Sequence, residues 1–169
     1  QQYAAKFVIQ EPQLGTGHAV QQAMPHLDDE SQTMVLYGDV PLIQHSTLHQ
    51  MQQAGSGLVL LTVHLANPAG YGRIVRDAKG DVLGIVEEKD ASPAQRKVRE
   101  VNTGILFAQA KLLKRWLPKV NNKNAKGEYY LTDIVALAVK DKAKVATHTV
   151  AGFAEVQGVN VSAHLAATE

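Results

Sequence analysis

The feature that most limits what this chain can fold into is its alternation of short apolar runs with helical stretches. "KFVIQ" (6–10), "MVLYG" (34–38) and "GLVLLTVHL" (57–65) read as strands, and "HAVQQAM" and "LIQHSTLHQMQQ" between them read as helices. Strands separated by helices predict a largely parallel sheet with helices on both faces. The pattern then changes. "GRIVRD" and "VLGIVEEKD" flank a turn at "AKGD", where Gly80 suits a hairpin. "REVNTGILFA" (99–108) predicts another strand, and "QAKLLKRWLPKV" a helix ended by Pro118. Leu131, Ile134, Val135 and Ala138 recur at i, i+3, i+4 and i+7, the spacing of one buried helical face. "KVATHTV" predicts a late strand, and "VQGVNVSAHLAA" a turn into a final helix. The expected fold class is α/β with a mixed, mostly parallel sheet.

Composition removes several kinds of chemistry. The chain has 169 residues, enough for one domain with a sizeable core, and no cysteine, so disulfides, thiolate metal sites and cysteine nucleophiles are excluded. No apolar run approaches the ~18 residues of a membrane span, so no membrane insertion is expected. The opening "QQYAAKFVIQ" has neither signal-peptide nor transit-peptide character, which makes the cytoplasm the expected setting. The chain does not begin with Met and enters a strand-like run by Lys6, so a piece of a longer protein is expected. Charge is uneven. Residues 1–72 hold one cation, Lys6, against five acids, and the remaining sixteen cations all follow Gly72. No basic stripe with interleaved aromatics occurs, which argues against nucleic acid as a partner.

"QEPQLGTGHAV" (10–20) sets two glycines and a histidine between a strand-like and a helical segment. Phosphate-cradling loops of the G-x-x-x-x-G-K-[ST] type recruit a lysine, and no cation lies near this loop. The helix start near Gly17 offers backbone N–H groups, and the Gln10 amide suits a pyrimidine edge. The functional reading is therefore a nucleobase loop; the alternative is a plain strand-to-helix turn. Asp39 follows an apolar strand, where open α/β sheets bind ligands. It can cap the next helix or coordinate a hard cation such as Mg²⁺. His45 and His49 are four apart, but the Glu of H-E-x-x-H is missing, so they read as surface residues. His18 reads as a local hydrogen-bonding residue, and no Ser-His-Asp order supports a covalent nucleophile.

"EPQLGTGHAV", "LYGDVPL", "NPAGYGRIVRD", "GIVEEKDA", "VNTGI", "GEYYLTDI" and "EVQGVN" occur in this order over nearly the whole chain. Together they resemble the uridyltransferase domain of the bacterial bifunctional N-acetylglucosamine-1-phosphate uridyltransferase/glucosamine-1-phosphate acetyltransferases. The resemblance implies a Rossmann-like nucleotidyltransferase fold, with residues 1–169 forming a partial uridyltransferase domain that ends at a connecting helix. It implies Mg²⁺-dependent transfer from UTP to N-acetylglucosamine 1-phosphate, giving UDP-N-acetylglucosamine and pyrophosphate for cell-envelope precursors. It assigns Gln10, Gly15 and Thr16 to uracil, and Tyr37, Gly38 and Asp39 to the ribose and phosphates. It assigns Gly72, Glu87 and Asn102 to the sugar pocket, and Tyr130 and Thr132 to its N-acetyl side. Asp39 and Asn160 match its magnesium ligands.

The family also has a "LAAGxGTRM"-type loop and a following lysine that neutralise the triphosphate, and neither occurs in this sequence. The acetyltransferase β-helix, through which the family forms homotrimers, is likewise expected outside the chain. The isolated chain is accordingly expected to be inactive or weakly active. The alternatives are another sugar-nucleotide pyrophosphorylase, or a non-catalytic fragment that binds nucleotide sugar.

Overall fold

The computed structural model describes residues 5–55 and 57–159. In chain order the elements are α1 (Thr16–Ala23), β1 (Gln32–Val35), α2 (His45–Gln53), β2 (Leu58–His64), β3 (Arg73–Arg76), β4 (Val82–Val86), β5 (Glu100–Gln109), α3 (Ala110–Trp116), α4 (Asp133–Lys140) and β6 (Val145–Val150). The strands form one mixed sheet in the order β4-β3-β5-β2-β6, with β1 also paired to β5.

β2 lies between β5, which is antiparallel to it, and β6, which is parallel. The other edge of β5 takes β3 at Val101 and β1 along residues 106–109, both antiparallel. Thus β1, β2, β3 and β6 run one way, and β4 and β5 run the other. The expectation of a mostly parallel sheet survives in strand direction but not in pairing. β2 with β6 is the only parallel pair among the described strands. The cause is β5. It follows β4 without a crossover α-helix, and only parallel neighbours require one.

Side-chain alternation along β2 builds the interior. Leu58 and Leu60 enter one buried cluster with Leu113, Trp116, Ile134, Val135 and Ala138. Val59, Leu61 and Val63 enter a second with Met51, Ile105 and Phe107. Helices α1, α3 and α4 therefore cover one face and α2 the other, as the sequence pattern predicts. Each such fully buried aliphatic side chain stabilises the fold by roughly 1.5–3 kcal/mol. The predicted α4 face is the observed one: Leu131, Ile134, Val135 and Ala138 are all buried. Trp116, at the end of α3, donates its indole N–H to Asp141 Oδ2 at 2.9 Å, so its polar end is satisfied inside the core. Pro118 sits at the start of the single-turn helix that terminates α3.

One predicted strand is absent. Residues 5–10 are irregular, and Phe7 and Ile9 are 93% and 80% exposed. A strand needs a neighbour to take its N–H and C=O groups, and none of the described residues supplies one here. "MVLYG" also forms less strand than expected, because β1 ends at Val35 and Leu36 and Tyr37 leave it toward a turn. The predicted final helix lies outside the described residues. No described helix is long and apolar enough to cross a membrane.

Candidate active site

The glycine loop and the segment 128–131 are stitched together by their backbones. Gly17 N donates to Tyr129 O at 2.8 Å, and Tyr129 N to Leu14 O at 2.8 Å. Leu131 N donates to Thr16 Oγ1 at 3.1 Å. The approach is close enough to require glycine. A Cβ at Gly17 would lie 2.9 Å from Tyr129 O, and one at Gly15, where φ is +111°, 2.8 Å from it. The Gly17 N–H is therefore spent inside the protein rather than free for a ligand, contrary to the reading of the helix start as open. Gln10 Nε2 donates to Gly15 O at 2.9 Å and lies 3.2 Å from His18 Nδ1, so Gln10 braces the loop from within. His18 has the local hydrogen-bonding role expected of it, with Gln22 Nε2 3.0 Å from its Nε2. His45 and His49 are exposed on α2.

The positions expected to form the sugar pocket lie at or beside adjacent strands. Gly72 immediately precedes β3, Glu87 immediately follows β4, and Asn102 lies in β5. Asn102 N donates to Gly72 O at 2.9 Å. A Cβ at Gly72 would meet Ile85 Cγ2 at 2.8 Å and Glu87 Oε1 at 3.2 Å, so glycine is needed for close packing here. Thr132 Oγ1, at the start of α4, donates to Glu87 Oε1 at 2.9 Å. Past Asn102 the register of β5 against β2 slips, and Gly104 takes φ +89°. A Cβ at Gly104 would come within 2.6 Å of Tyr37 Cε2, so the bulge is the seat of the Tyr37 ring.

Thr16, Tyr37, Gly72, Glu87, Asn102, Tyr130 and Thr132 thus line one cleft of about 270 Å³. Gly15 and Gln10 adjoin it through Thr16. Gly38 lines only a larger, mainly apolar groove of about 500 Å³ between α1 and β1, which Thr16 and Tyr37 also border. Asp39 lies in the turn beyond Tyr37, where Val40 N donates to Tyr37 O at 3.2 Å. It does not cap the next helix, because α2 starts at His45 with Gln44 as its N-cap. That removes one of the two readings of Asp39. Val159 N donates to the Asp39 carbonyl at 2.7 Å, tying the end of the described chain to this turn. Asn160 lies outside the described residues. No cluster of three or more acidic or histidine side chains suited to a metal occurs among the described residues.

Two phenols in the cleft are kept protonated. Burial raises the Tyr37 pKa, and the charges of Glu87 and Asp39 add to the effect. Tyr130 is 7% exposed, and its hydroxyl is buried without a partner among the described residues. Burial, assisted by the charges of Asp90, Glu87 and Glu128, pushes Tyr130 up to about 12. Tyr130 lines the cleft, while its hydroxyl is shielded from solvent. Burial and the Glu87 and Asp90 charges likewise raise the Asp133 carboxyl. The same cleft is lined by Gly70, Tyr71, Thr103, Gly104, Lys126 and Glu128, which the sequence reading did not single out. Most of them flank quoted motif residues, so contiguity along the chain was the available signal.

The Nucleotidyl transferase family matches residues 2–154. The chain is 54% identical over 168 residues to "Bifunctional protein GlmU" of Alkalilimnicola ehrlichii, an overlap of 99% of this chain and 36% of that protein. It is 57% identical over 162 residues to the protein of the same name from Azoarcus sp., covering 95% of this chain and 36% of the relative. The chain therefore spans little more than a third of the length of these curated relatives. A crystal structure from Bacillus anthracis, assigned as a glucose-1-phosphate thymidylyltransferase, superposes with TM-score 0.62 at 18% identity. That overlap covers 85% of this chain and 55% of the other, and it establishes a shared fold.

Proposed function

The chain belongs to the nucleotidyl transferase family, and from that premise we propose that it carries the sugar-nucleotide-forming site of a uridyltransferase. In this reading UTP and N-acetylglucosamine 1-phosphate give UDP-N-acetylglucosamine and pyrophosphate, in the cytoplasm, for cell-envelope precursors. Residues 1–169 are part of that catalytic domain, and a full-length protein would assemble as a homotrimer through a separate acetyltransferase domain.

The observation that carries the proposal is the single cleft. Thr16 from the glycine loop and Tyr37 from the turn after β1 open onto the same space as Gly72, Glu87, Asn102, Tyr130 and Thr132. The loop side, Gln10, Gly15 and Thr16, offers uracil neutral groups. The Glu87 carboxylate accepts from sugar hydroxyls, the Tyr130 hydroxyl meets the N-acetyl side, and Thr132 fixes the direction of Glu87. Tyr37, Gly38 and Asp39 lie under the ribose and phosphates.

The reaction is in-line displacement: an oxygen of the sugar phosphate bonds to the α-phosphorus of UTP, and the bond to the β-phosphate oxygen breaks, releasing pyrophosphate. Such chemistry needs positioning and charge neutralisation more than a protein nucleophile. Asp39 is half-buried, forms no ion pair with a described cation, and supplies the hard oxygen donor that Mg²⁺ prefers. Asp39 and Asn160 would hold the ion, which when bound offsets charge on the reacting phosphates. The Val159–Asp39 hydrogen bond supports this pairing, since Asn160 is the next residue.

Pyrophosphate release with UTP, N-acetylglucosamine 1-phosphate and Mg²⁺, in the full-length protein containing this chain, tests the reading. Competing UTP with dTTP, and the acetylated sugar with glucose 1-phosphate, tests the specificity. Preference for UTP and the acetylated sugar supports the proposal; equal use of dTTP and glucose 1-phosphate makes the protein a different pyrophosphorylase.

A further inference from the structure

Two charged side chains adjoin the sugar-side residues in sequence but do not line the cleft. Arg73 follows Gly72, and Glu88 follows Glu87. Arg73 is 1% exposed; its guanidinium donates to the Tyr71 carbonyl and, at 2.5 Å, to Glu88 Oε2. The Arg73 Nε is buried without a partner among the described residues. An ion pair whose arginine is buried with an unpaired N–H and whose carboxylate is partly exposed is a poor source of stability. Its geometry offers a better account. The Arg73 hydrogen bond holds the Glu88 carboxyl below the usual carboxylate range, and the Gly70 N–H contributes to the same effect. Arg73 thus gathers the Tyr71 carbonyl and the Glu88 carboxylate, so the residues on both sides of Gly72 are tied to the residue after Glu87. The two segments already touch in front, where Gly72 has no room for a Cβ against Ile85 and Glu87.

We propose that Arg73 and Glu88 are a positioning pair: their ion pair sets the spacing between the Gly72 backbone and the Glu87 carboxylate, and so the fit of the sugar phosphate. This rests on the reading of Gly72 and Glu87 as sugar-side residues. Neither Arg73 nor Glu88 touches substrate. A misplacement of the order of an ångström can cost up to a hundredfold in a positioned site.

The test uses Glu88→Gln, Glu88→Asp and Glu87→Gln in the full-length protein containing this chain. Glu88→Gln is expected to raise KM for N-acetylglucosamine 1-phosphate roughly tenfold while KM for UTP and kcat stay within about twofold, the signature of lost ground-state fit. Glu88→Asp, which keeps the charge but shortens the reach, is expected to give a smaller rise and serves as the readout if Glu88→Gln does not fold. An unchanged sugar-phosphate KM in both Glu88 variants overturns the proposal. So does a parallel loss in both substrates and kcat with a lowered Tm, which would make the pair merely structural. Glu87→Gln separates the two readings. If it leaves the sugar-phosphate KM unchanged, the assignment of the pocket fails and takes the proposal with it. If it raises that KM while the Glu88 variants do not, only the positioning pair fails.

Discussion

The proposed sugar side of the cleft is set by strands, with Gly72 just before β3, Glu87 just after β4 and Asn102 within β5. The proposed nucleotide side stands on loops: residues 14–17 are held to residues 129–131 by two backbone hydrogen bonds and the Thr16 hydroxyl. The difference lies in what sets each side. Strand register fixes the sugar side, and charged side chains link its strands. Arg76 makes two hydrogen bonds to Glu100, at 2.8 and 2.6 Å, and one to Thr147 Oγ1 at 3.0 Å, joining β3, β5 and β6. The nucleotide side depends instead on two backbones approaching closer than any side chain would allow. Mutation and acid should therefore act on the two sides differently.

Gly17→Ala should break the loop side most severely. Its Cβ would meet backbone atoms of Tyr129 and Tyr130 at 2.9 and 3.2 Å, and backbone on both sides cannot yield cheaply. The expected cost is about 2–4 kcal/mol, at or above the usual range for overpacking, together with loss of nucleotide binding. Urea unfolding and a nucleotide titration would measure both, and near-wild-type behaviour would show that the loops are not locked as described.

On the strand side, Glu100→Gln should cost roughly 2–3 kcal/mol, below the full figure for a buried pair because Arg76 is partly exposed. Burial raises the Glu100 carboxyl, but its hydrogen bonds to Arg76 outweigh this and the net shift is downward. A carboxylate with a lowered folded pKa stabilises above its unfolded value, ordinarily 4.5, and loses that contribution as pH falls through the folded value. Glu88 acts in the same direction, and Asp133, raised by burial, opposes them. Thermal unfolding followed from pH 7 downward should therefore fall below about pH 4.5. The fall should be shallower in Glu100→Gln, and an unchanged slope in that variant would remove Glu100 from the account.

Tyr130→Phe is the smallest change and the most selective. Its hydroxyl has no described partner, so removing it should leave stability unchanged or slightly improved. Sugar-phosphate binding should weaken by about 1 kcal/mol, roughly fivefold. Unaltered binding would make Tyr130 a packing residue only.

Much of this was legible in the sequence because it depends on local pattern. The apolar face of α4, the β3–β4 hairpin with Gly80 at its turn, and the ordered motifs around Gly15, Gly72, Glu87 and Asn102 are all short-range signals. What escaped depends on long-range pairing. The reversed direction of β5 follows from its neighbours, not its composition. "KFVIQ" has strand character but no described neighbour to pair with. Gly15 and Gly17 looked like a ligand loop open at the helix start; their tight approach to Tyr129 comes from residues more than a hundred positions away. Arg73 and Glu88 carry no mark of pairing in the sequence, and only the fold brings them together.

The measurement that tests the account most directly is a crystal structure of the full-length protein containing this chain with UDP-N-acetylglucosamine bound. The account predicts uracil against Gln10, Gly15 and Thr16, and the sugar between Gly72, Glu87 and Tyr130. A sugar seated in the apolar groove between α1 and β1, or base and sugar exchanged, would contradict it.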